Sequence, residues 1–440
     1  MMKRGLMKRS LAVSVFLFSL LLLANSLLGR GVPQRVDSLP KGRPEDVGLS
    51  SDRLQQVHDS IHNHITAGDI PGAVTLVARK GRVVYLEAQG IADPESKKPV
   101  QKDSIFWIAS MTKPITTVAL LMLMEEGKVR VSDPVSRYLP DFKNLNKVRV
   151  KKTGTSAPGG SGAAAYDMVP ANREITIRDL LTHTSGLLSI GADNDILPDT
   201  APTDKLGDWV AKLPAVPLDF QPGTRWAYSN AAGFDVLARV VEVVSGEPFN
   251  QFLKERIFDP LGMKDTIFGA ISRPDLASRV APLVQKSPNG FALQKANPRR
   301  DALFGTTYVS GAAGLWTTAE DYFRFAEMLD NGGQLNGKRL LSPNTVELMT
   351  SNQVGDLFST AGGSGLGYRG LGFGFSVAVV TDSIAADLRV PTGSYSWDGV
   401  GTTRFWVVPK DKLVMIIMPE IGNATVQRDF ENAVMQAVVE

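Results

Sequence analysis

The pair Ser110 and Lys113 has the spacing of a nucleophile and its activating base. Together they form an S-x-x-K tetrad just before a helical run whose early turn contains Pro114. Residues three apart share one face of a helix, so the hydroxyl and the amine can come within hydrogen-bonding reach. A serine hydroxyl is a poor nucleophile unless a base removes its proton, and a desolvated lysine can help to do so. The pair therefore predicts catalysis through an acyl-enzyme on Ser110.

The tetrad alone is weak support, because about one or two such matches are expected by chance in a chain of this length. A second match does occur, from Ser38 to Lys41. It contains Pro40 and lies in a linker-like stretch, which excludes a helix that presents a nucleophile. The context of Ser110, and not the tetrad itself, favours it as the reactive group.

A second set of polar side chains lies in the segment 220–230, where a turn at Pro222-Gly223 precedes Tyr228 and Asn230. A tyrosine beside a protonated lysine has a lowered pKa, so we expect Tyr228 to act as general base and then as general acid. Asn230 is expected to donate its side-chain amide to the acyl oxygen or to Lys113. An isolated Tyr-x-Asn match is more often a surface loop, so this assignment depends on the rest of the sequence.

Five phrases together give the chain a recognisable pattern: FWIASMTKPIT at 106–116, LLTHTSGL at 180–187, the segment 220–230, PLGM at 260–263 with Asp265-Thr266, and GAAGLWTTAED at 311–321. In this order they resemble the serine β-lactamase and penicillin-binding-protein superfamily, in particular class C β-lactamases and family VIII carboxylesterases. The likeness runs from about residue 45 to the end. It implies a serine hydrolase with a β-lactamase-like fold.

The resemblance also implies a third motif, on a strand that lines the site. Lys152-Thr153-Gly154 matches the usual letters but precedes Tyr228 and lies in a Gly/Ser/Ala-rich stretch, so we assign the match to composition. Trp397-Asp398-Gly399, which is followed by a strand, fits the expected place. Gly399 allows close backbone approach to a substrate, and the N–H groups of Val400 and Ser110 are expected to form an oxyanion hole.

The third motif also bears on the substrate. Trp397 replaces the basic residue that holds a carboxylate in lactamases, as aromatic residues do in family VIII esterases. Asp398 replaces an expected small residue and would repel an anionic substrate if exposed. The sequence thus favours a small-molecule ester substrate over a β-lactam. A β-lactamase or D-amino-acid peptidase remains the alternative, and a non-catalytic cell-wall binding protein is a second one.

Other patterns offer weaker explanations. A metal site at His58, His62 and His64 lacks a completing ligand, so exposed helix surface is favoured. His183 is interpreted as a structural hydrogen-bonding residue. An α/β-hydrolase elbow at 374–378 has no histidine after it, and a dinucleotide-like match at 365–370 lacks the flanking strand and helix. We therefore predict no metal and no cofactor.

Composition sets the outer limits of the interpretation. The 440 residues include 43% hydrophobic ones, carry a net charge of +3 and contain no cysteine. Such a chain can bury one large core or two coupled ones and is too polar for an integral membrane protein. Outside the extreme N-terminus no basic block is interleaved with aromatic residues, which argues against nucleic acid as a partner. Disulfides and thiolate catalysis are excluded.

The predicted elements place strands towards both ends of the chain and helices between them. A hairpin is expected at 73–88 around Lys80-Gly81, helices at 115–126, 236–244 and 319–329, and strands at 374–380, 403–408 and 413–418. Ser51 is predicted to cap the first helix. The fold class is α/β, β-lactamase-like, with an antiparallel sheet flanked by helices and an inserted mostly helical domain. The α/β part spans about 49–105 and 305–440, the helical part about 106–304, and a flexible insertion 151–172.

The N-terminus has the pattern of an export signal. Four basic residues among the first nine precede an apolar run at 11–23, and small residues at 24–26 offer a cleavage site. Residues 1–28 are thus predicted to be a signal peptide or an uncleaved membrane anchor, and 29–48 a linker. We expect an exported protein, periplasmic or secreted and possibly tethered to the membrane, and the sequence leaves its oligomeric state open.

Overall fold

The computed structural model describes residues 39–143, 147–151, 166–189, 204–269, 273–295, 307–361 and 368–440. The predicted signal segment, Ser38 of the second tetrad, the stretch Lys152-Thr153-Gly154 and half of the dinucleotide-like match lie outside these residues. Residues 40–440 form one compact unit. This unit starts before the predicted linker boundary, because Pro44–Val47 forms a 3-10 turn and Val47 is buried in the core.

An eight-stranded sheet forms the centre of the unit. In chain order its strands are β1 (Gly72–Arg79), β2 (Arg82–Asp93), β3 (Lys98–Pro99), β4 (Leu371–Phe373), β5 (Ala378–Val380), β6 (Tyr395–Asp398), β7 (Arg404–Val408) and β8 (Leu413–Pro419). Their spatial order is β4-β5-β6-β7-β8-β1-β2-β3, and all neighbours are antiparallel. Every residue of β1 and β8 is buried, so the middle of the sheet is covered on both faces.

The predicted hairpin is confirmed, and one predicted strand is wrong. Lys80 and Gly81 have φ angles of 51° and 74°, the positive values that a tight two-residue turn between β1 and β2 needs. The run 374–380 was expected to be one strand. It is instead a turn followed by β5, because the Gly374 N–H donates to the Val377 carbonyl and Ser376 has a φ of 64°.

Within the described residues, five helices have twelve or more residues: α1 (Ser51–Thr66), α2 (Thr112–Glu125), α3 (Ala232–Ser245), α4 (Ala319–Asp330) and α5 (Ala424–Met435). Helices α1, α4 and α5 pack against the sheet, whereas α2 and α3 pack against each other. Successive side chains of β7 point to opposite faces of the sheet and contact two different helices. The Phe405 ring packs 5.1 Å from Tyr322 of α4, whereas the next residue, Trp406, packs 5.8 Å from Phe430 of α5. Helices α1 and α5 share one hydrophobic core with Trp406, on the same face of the sheet. Ser50, and not the predicted Ser51, caps α1 by accepting from the Arg53 N–H.

Between β3 and β4 the described chain contains helices with short strands among them. Helix α2 packs against α3, and α3 also contacts the short helix Ile177–Leu181. The other short helices are Leu206–Val210, Phe249–Leu253, Asp259–Leu261 and Pro343–Thr350, and a π-helical turn spans Lys254–Phe258. One small sheet joins Phe106–Trp107, Leu315–Thr317 and Ile267–Phe268.

Three two-stranded ribbons complete the described fold: Lys147–Lys151 with Tyr166–Pro170, Val284–Ser287 with Gly290–Leu293, and Gln334–Leu335 with Lys338–Arg339. The strand Tyr166–Pro170 lies inside the predicted flexible insertion 151–172, so this end of the insertion belongs to a ribbon in which Lys151 pairs with Tyr166. Residues 152–165 between them are outside the described part. Within that part, no helix is long and apolar enough to cross a membrane.

Candidate active site

Ser110 lies on a short 3-10 turn, Ala109–Met111, that leads directly into α2. Ala109 has a φ of 42°, a left-handed value that costs a non-glycine residue about 1–3 kcal/mol. Neighbouring elements hold this conformation. The Tyr322 hydroxyl of α4 donates to the Met111 carbonyl at 3.0 Å, and the Leu315 N–H donates to the Thr112 hydroxyl at 3.2 Å. The fold therefore presents the serine on a strained but well-supported turn.

Lys113 is completely buried beside this turn. Its ammonium donates to the Ser110 Oγ at 3.1 Å, to the Asn230 carbonyl at 2.7 Å and to the Ala312 carbonyl at 3.1 Å. Burial lowers the pKa of Lys113 to about 7, against the opposing charges of Asp235 and Asp398. Near neutral pH a large fraction of this side chain is thus a free amine, which can accept the Ser110 proton.

Tyr228 meets the same nucleophile from the other side. Its hydroxyl lies near the Ser110 hydroxyl, and its ring centroid lies 5.0 Å from the Lys113 Nζ. The predicted lowering of the Tyr228 pKa is wrong. Burial raises the pKa of Tyr228 and the nearby Asp398 charge adds to the rise, so the residue remains a neutral phenol. It is suited to relay or donate a proton, while Lys113 is the group that can accept one.

Asn230 contributes differently from the expectation. Its main-chain carbonyl, and not its side-chain amide, accepts a hydrogen bond from the Lys113 Nζ. The residue is exposed to solvent, so its amide remains available to a substrate. Asn230 thus contacts Lys113 as the sequence predicts, but through its backbone carbonyl and not through its side-chain amide.

His183 positions the tyrosine loop. Its Nδ1 accepts from the Ser229 N–H at 3.1 Å, and its carbonyl accepts from the Ala227 N–H at 3.0 Å, so it holds both neighbours of Tyr228. Burial and the Lys113 charge lower the pKa of His183 well below its usual range. The imidazole is therefore neutral, and the structure agrees with its interpretation as a structural residue.

Asp235 is a supporting residue that the sequence reasoning missed. This fully buried carboxylate, in the first turn of α3, accepts from the Tyr308 hydroxyl at 2.6 Å, the Ser310 hydroxyl at 2.8 Å and the Ala312 N–H at 3.1 Å. It thereby fixes the segment whose Ala312 carbonyl binds Lys113. Burial raises the pKa of Asp235 to about 6. An acidic residue between the apolar Phe234 and Val236, near the start of α3, was the available signal.

The third motif lies at the end of β6, as predicted. A Cβ added to Gly399 would lie only 2.5 Å from the Ile108 carbonyl oxygen, so only glycine fits here. Gly399 therefore lets β6 pack closely against the main chain that leads to Ser110. From the sequence, this glycine was expected to allow close approach of a substrate instead. The packing brings β6 alongside the nucleophile turn, which is the placement that an oxyanion hole built from the Ser110 and Val400 N–H groups requires.

Trp397 belongs to a cluster of aromatic side chains around the site. Its ring lies 5.6 Å from that of Tyr228 and 5.2 Å from that of Phe373, and Trp226 and Phe358 pack behind them. The Trp397 indole N–H approaches the Tyr228 hydroxyl without reaching hydrogen-bonding geometry and has no other partner. An apolar, aromatic wall therefore stands where the resemblance would otherwise place a cation.

The histidines of α1 and a cavity beside this helix lie away from Ser110. In the described part of the chain, no group of three or more acidic or histidine side chains is arranged to hold a metal ion. His58 pairs with Glu87 at 2.9 Å, and His64 lies between Asp69 and Asp429. A cavity of about 480 Å³ between α1 and α5 is lined by none of the predicted catalytic side chains. Neither region contacts the candidate site at Ser110.

Comparisons with known proteins agree with this geometry. Residues 56–439 match the Beta-lactamase family. Protein Rv1367c of Mycobacterium tuberculosis (strain ATCC 25618 / H37Rv) is 34% identical over 82% of this chain and 88% of its own length. Esterase EstB of Burkholderia gladioli is 33% identical over 75% of this chain and 80% of its own length.

A solved structure extends the likeness to three dimensions. EstCE1, described as a hydrolase with promiscuous acyltransferase activity, superposes with a TM-score of 0.69 at 28% identity, over 87% of this chain and 99% of its own. The family match covers the nucleophile turn, the tyrosine loop and β6 alike. The chain therefore belongs to the Beta-lactamase family.

Proposed function

We propose that the protein is a serine hydrolase that cleaves carboxylic esters through an acyl-enzyme on Ser110. The observation that carries this proposal is the contact of the Ser110 hydroxyl with both a buried, partly neutral lysine and a neutral tyrosine. Similarity to Esterase EstB and to EstCE1 supports ester cleavage. The reaction class is thus drawn from the site and from its relatives together.

The chemistry proceeds in two stages. As the Ser110 Oγ bonds to the ester carbonyl carbon, its proton passes to the neutral Lys113 amine, directly or through the Tyr228 hydroxyl. The Ser110 and Val400 N–H groups donate hydrogen bonds to the developing oxyanion. When the carbon–oxygen bond to the alcohol breaks, Tyr228 donates its proton to the leaving oxygen and is reprotonated by Lys113. Water then repeats the sequence on the acyl-enzyme and releases the acid.

The wall formed by Trp397 supports esters over β-lactams and peptides. A lactam or peptide substrate presents a carboxylate that a basic side chain would hold, and an indole offers no such partner. Asp398, next in sequence, adds a negative charge near the site. Neutral or cationic acyl compounds therefore fit this site better than anionic ones.

Replacement of Ser110 by Ala is the direct test. We expect hydrolysis of p-nitrophenyl acetate to fall about a thousandfold or more, because no other group in the mechanism can form the acyl-enzyme. Ser96→Ala, at an exposed position away from the site, should retain the parent rate. Intact-mass spectra with a fluorophosphonate should show one adduct on the parent and none on Ser110→Ala.

Two results would contradict the proposal in different ways. Undiminished ester cleavage by Ser110→Ala would remove the mechanism. Turnover of a chromogenic cephalosporin by the parent that exceeds ester turnover would favour the β-lactamase alternative. An intact fold with neither activity would favour a binding protein.

We further propose export, with residues 1–28 acting as a signal peptide or an anchor. The basic start and the apolar run at 11–23 support this. Fractionation of cells that express the full chain, followed by N-terminal sequencing, tests it. Recovery of an uncleaved chain in the cytosolic fraction would contradict it.

A further inference from the structure

The indole of Trp397 lies on the face of the sheet that carries the nucleophile turn. Trp397 pairs in register with Phe405 of β7, so the two side chains point to the same face. The Phe405 ring packs 5.1 Å from that of Tyr322, and the Tyr322 hydroxyl donates to the Met111 carbonyl at 3.0 Å. The Trp397 ring therefore extends from β6 on the side where Ser110 is held.

Tyr228 links this indole to the reacting atoms. The Lys113 Nζ lies 3.1 Å from the Ser110 Oγ and 5.0 Å from the centre of the Tyr228 ring. The Trp397 ring follows directly, with its centre 5.6 Å from that of Tyr228 and its plane inclined by 46°. In the proposed mechanism the Tyr228 hydroxyl donates its proton to the leaving alcohol oxygen. The alcohol part of an ester is thus placed on the side of the site where the Trp397 ring lies.

The aromatic rings on this side form two layers. The inner rings are buried and belong to Trp226, Phe358 and Phe373. The outer rings are half-buried and belong to Tyr228, Tyr368 and Trp397. Each outer ring has its centre 4.4 to 6.3 Å from that of an inner ring. The outer rings are therefore fixed in place by the rings behind them.

The surface that the Trp397 indole exposes to solvent is made of carbon atoms. Its Nε1 is buried and has no hydrogen-bond partner among the described residues, although the residue as a whole is only half-buried. An exposed aromatic carbon surface favours a second aromatic ring, in an offset or edge-to-face arrangement, by more than the buried area alone provides. The outer layer thus offers a recognition surface for an aromatic group.

We propose that the substrates are esters whose alcohol part carries an aromatic ring, and that the rings of Trp397 and Tyr228 recognise it. The inference rests on the proposed ester hydrolysis and names its substrate class. It accounts for a tryptophan at the place where the resemblance leads one to expect a cation. The side chain there binds a ring on the leaving alcohol, where a cation would bind a carboxylate.

Benzyl acetate and cyclohexylmethyl acetate form the test pair, and the released alcohol is measured by gas chromatography. Both esters release a primary alcohol of similar acidity, and only the ring of the first is aromatic. The saturated ester is the more hydrophobic one, so a surface that recognised apolar area alone would favour it. We expect the opposite order, with kcat/KM about fivefold higher for benzyl acetate. Equal values, or a preference for the saturated ester, would overturn the proposal.

Three variants locate the preference. Trp397→Leu replaces the ring by an apolar side chain and should bring the ratio of the two kcat/KM values to one or below. Trp397→Phe keeps a ring without the N–H and should keep most of the preference. Tyr85→Leu removes a ring that packs against the core of α1 and α5, on the opposite face of the sheet, and should keep the parental ratio. An unchanged ratio in Trp397→Leu would contradict recognition by this ring.

A binding measurement separates this inference from the proposed function. Ser110→Ala cannot form the acyl-enzyme, so its tryptophan fluorescence can be titrated with each of the two esters. We expect benzyl acetate to bind about threefold more tightly, which would support recognition of the ring even if the parent hydrolysed neither ester. Equal or weaker binding of benzyl acetate would overturn the inference, whatever the hydrolytic activity of the parent.

Discussion

The nucleophile turn and the end of β6 lie side by side but differ in how completely their polar groups are satisfied. At the turn, the Lys113 ammonium has three acceptors, and Asp235 behind it has three donors. Around the end of β6 and the start of β7, the Trp397 indole N–H and the Thr403 hydroxyl are buried with no hydrogen-bond partner among the described residues. The first region is fixed for one chemistry, whereas the second keeps polar groups that a substrate can engage.

Substitutions of Lys113, in the nucleophile turn region, should reduce kcat the most. Lys113→Met keeps the length of the side chain and removes the base, so we expect kcat for a short-chain aryl ester to fall about 10²–10⁴-fold. Lys113→Arg keeps the positive charge but cannot release a proton at neutral pH, and it should lose a similar factor. Near-parental kcat in Lys113→Arg would show that charge, and not proton transfer, is the contribution of this residue.

A substitution at Gly399 tests how closely the end of β6 must pack against the nucleophile turn. In Gly399→Ala the new methyl group meets the Ile108 carbonyl oxygen at 2.5 Å, so β6 must move away from Ser110. We expect kcat to fall about 10²-fold, the usual loss when an oxyanion donor is displaced. Gly207→Ala, whose Cβ meets only the flexible Arg239 side chain, serves as the control. Circular dichroism should show both variants folded, and parental kcat in Gly399→Ala would rule out this oxyanion placement.

Asp235 should change the pH profile more than the maximal rate. The parent kcat/KM should decline below pH 7, because Lys113, with a pKa of about 7, then becomes protonated. The Asp235 charge raises the pKa of Lys113, so Asp235→Asn should lower it and move the acidic limb to lower pH, with about a tenfold loss in kcat. A stopped-flow or plate-reader pH series of Asp235→Asn measures this, with Asp387→Asn, at a side chain 91% exposed, as the control. An acidic limb that stays in place would show that Lys113 is not the titrating group.

The sequence predicted the fold best where the signals are local. The hairpin at Lys80-Gly81, helices α2, α3 and α4, and strands β7 and β8 all follow from periodicity and turn residues, because neighbouring positions along the chain determine them. The prediction failed at 374–380, where an apolar run turns back on itself. There the Ser376 N–H donates to the Leu181 carbonyl. This contact joins segments that are far apart in sequence, so local patterns do not predict it.

The candidate reactive residues Ser110, Lys113, Tyr228 and Gly399 were likewise recognised from the sequence alone, by type, spacing and order. Their protonation and partners were decided by the tertiary structure. Burial makes Lys113 a base and raises the pKa of Tyr228, and the Asn230 backbone serves where its amide was expected. A pKa depends on solvent exclusion and on charges brought from remote parts of the chain, and both exist only once the helices and the sheet have packed together.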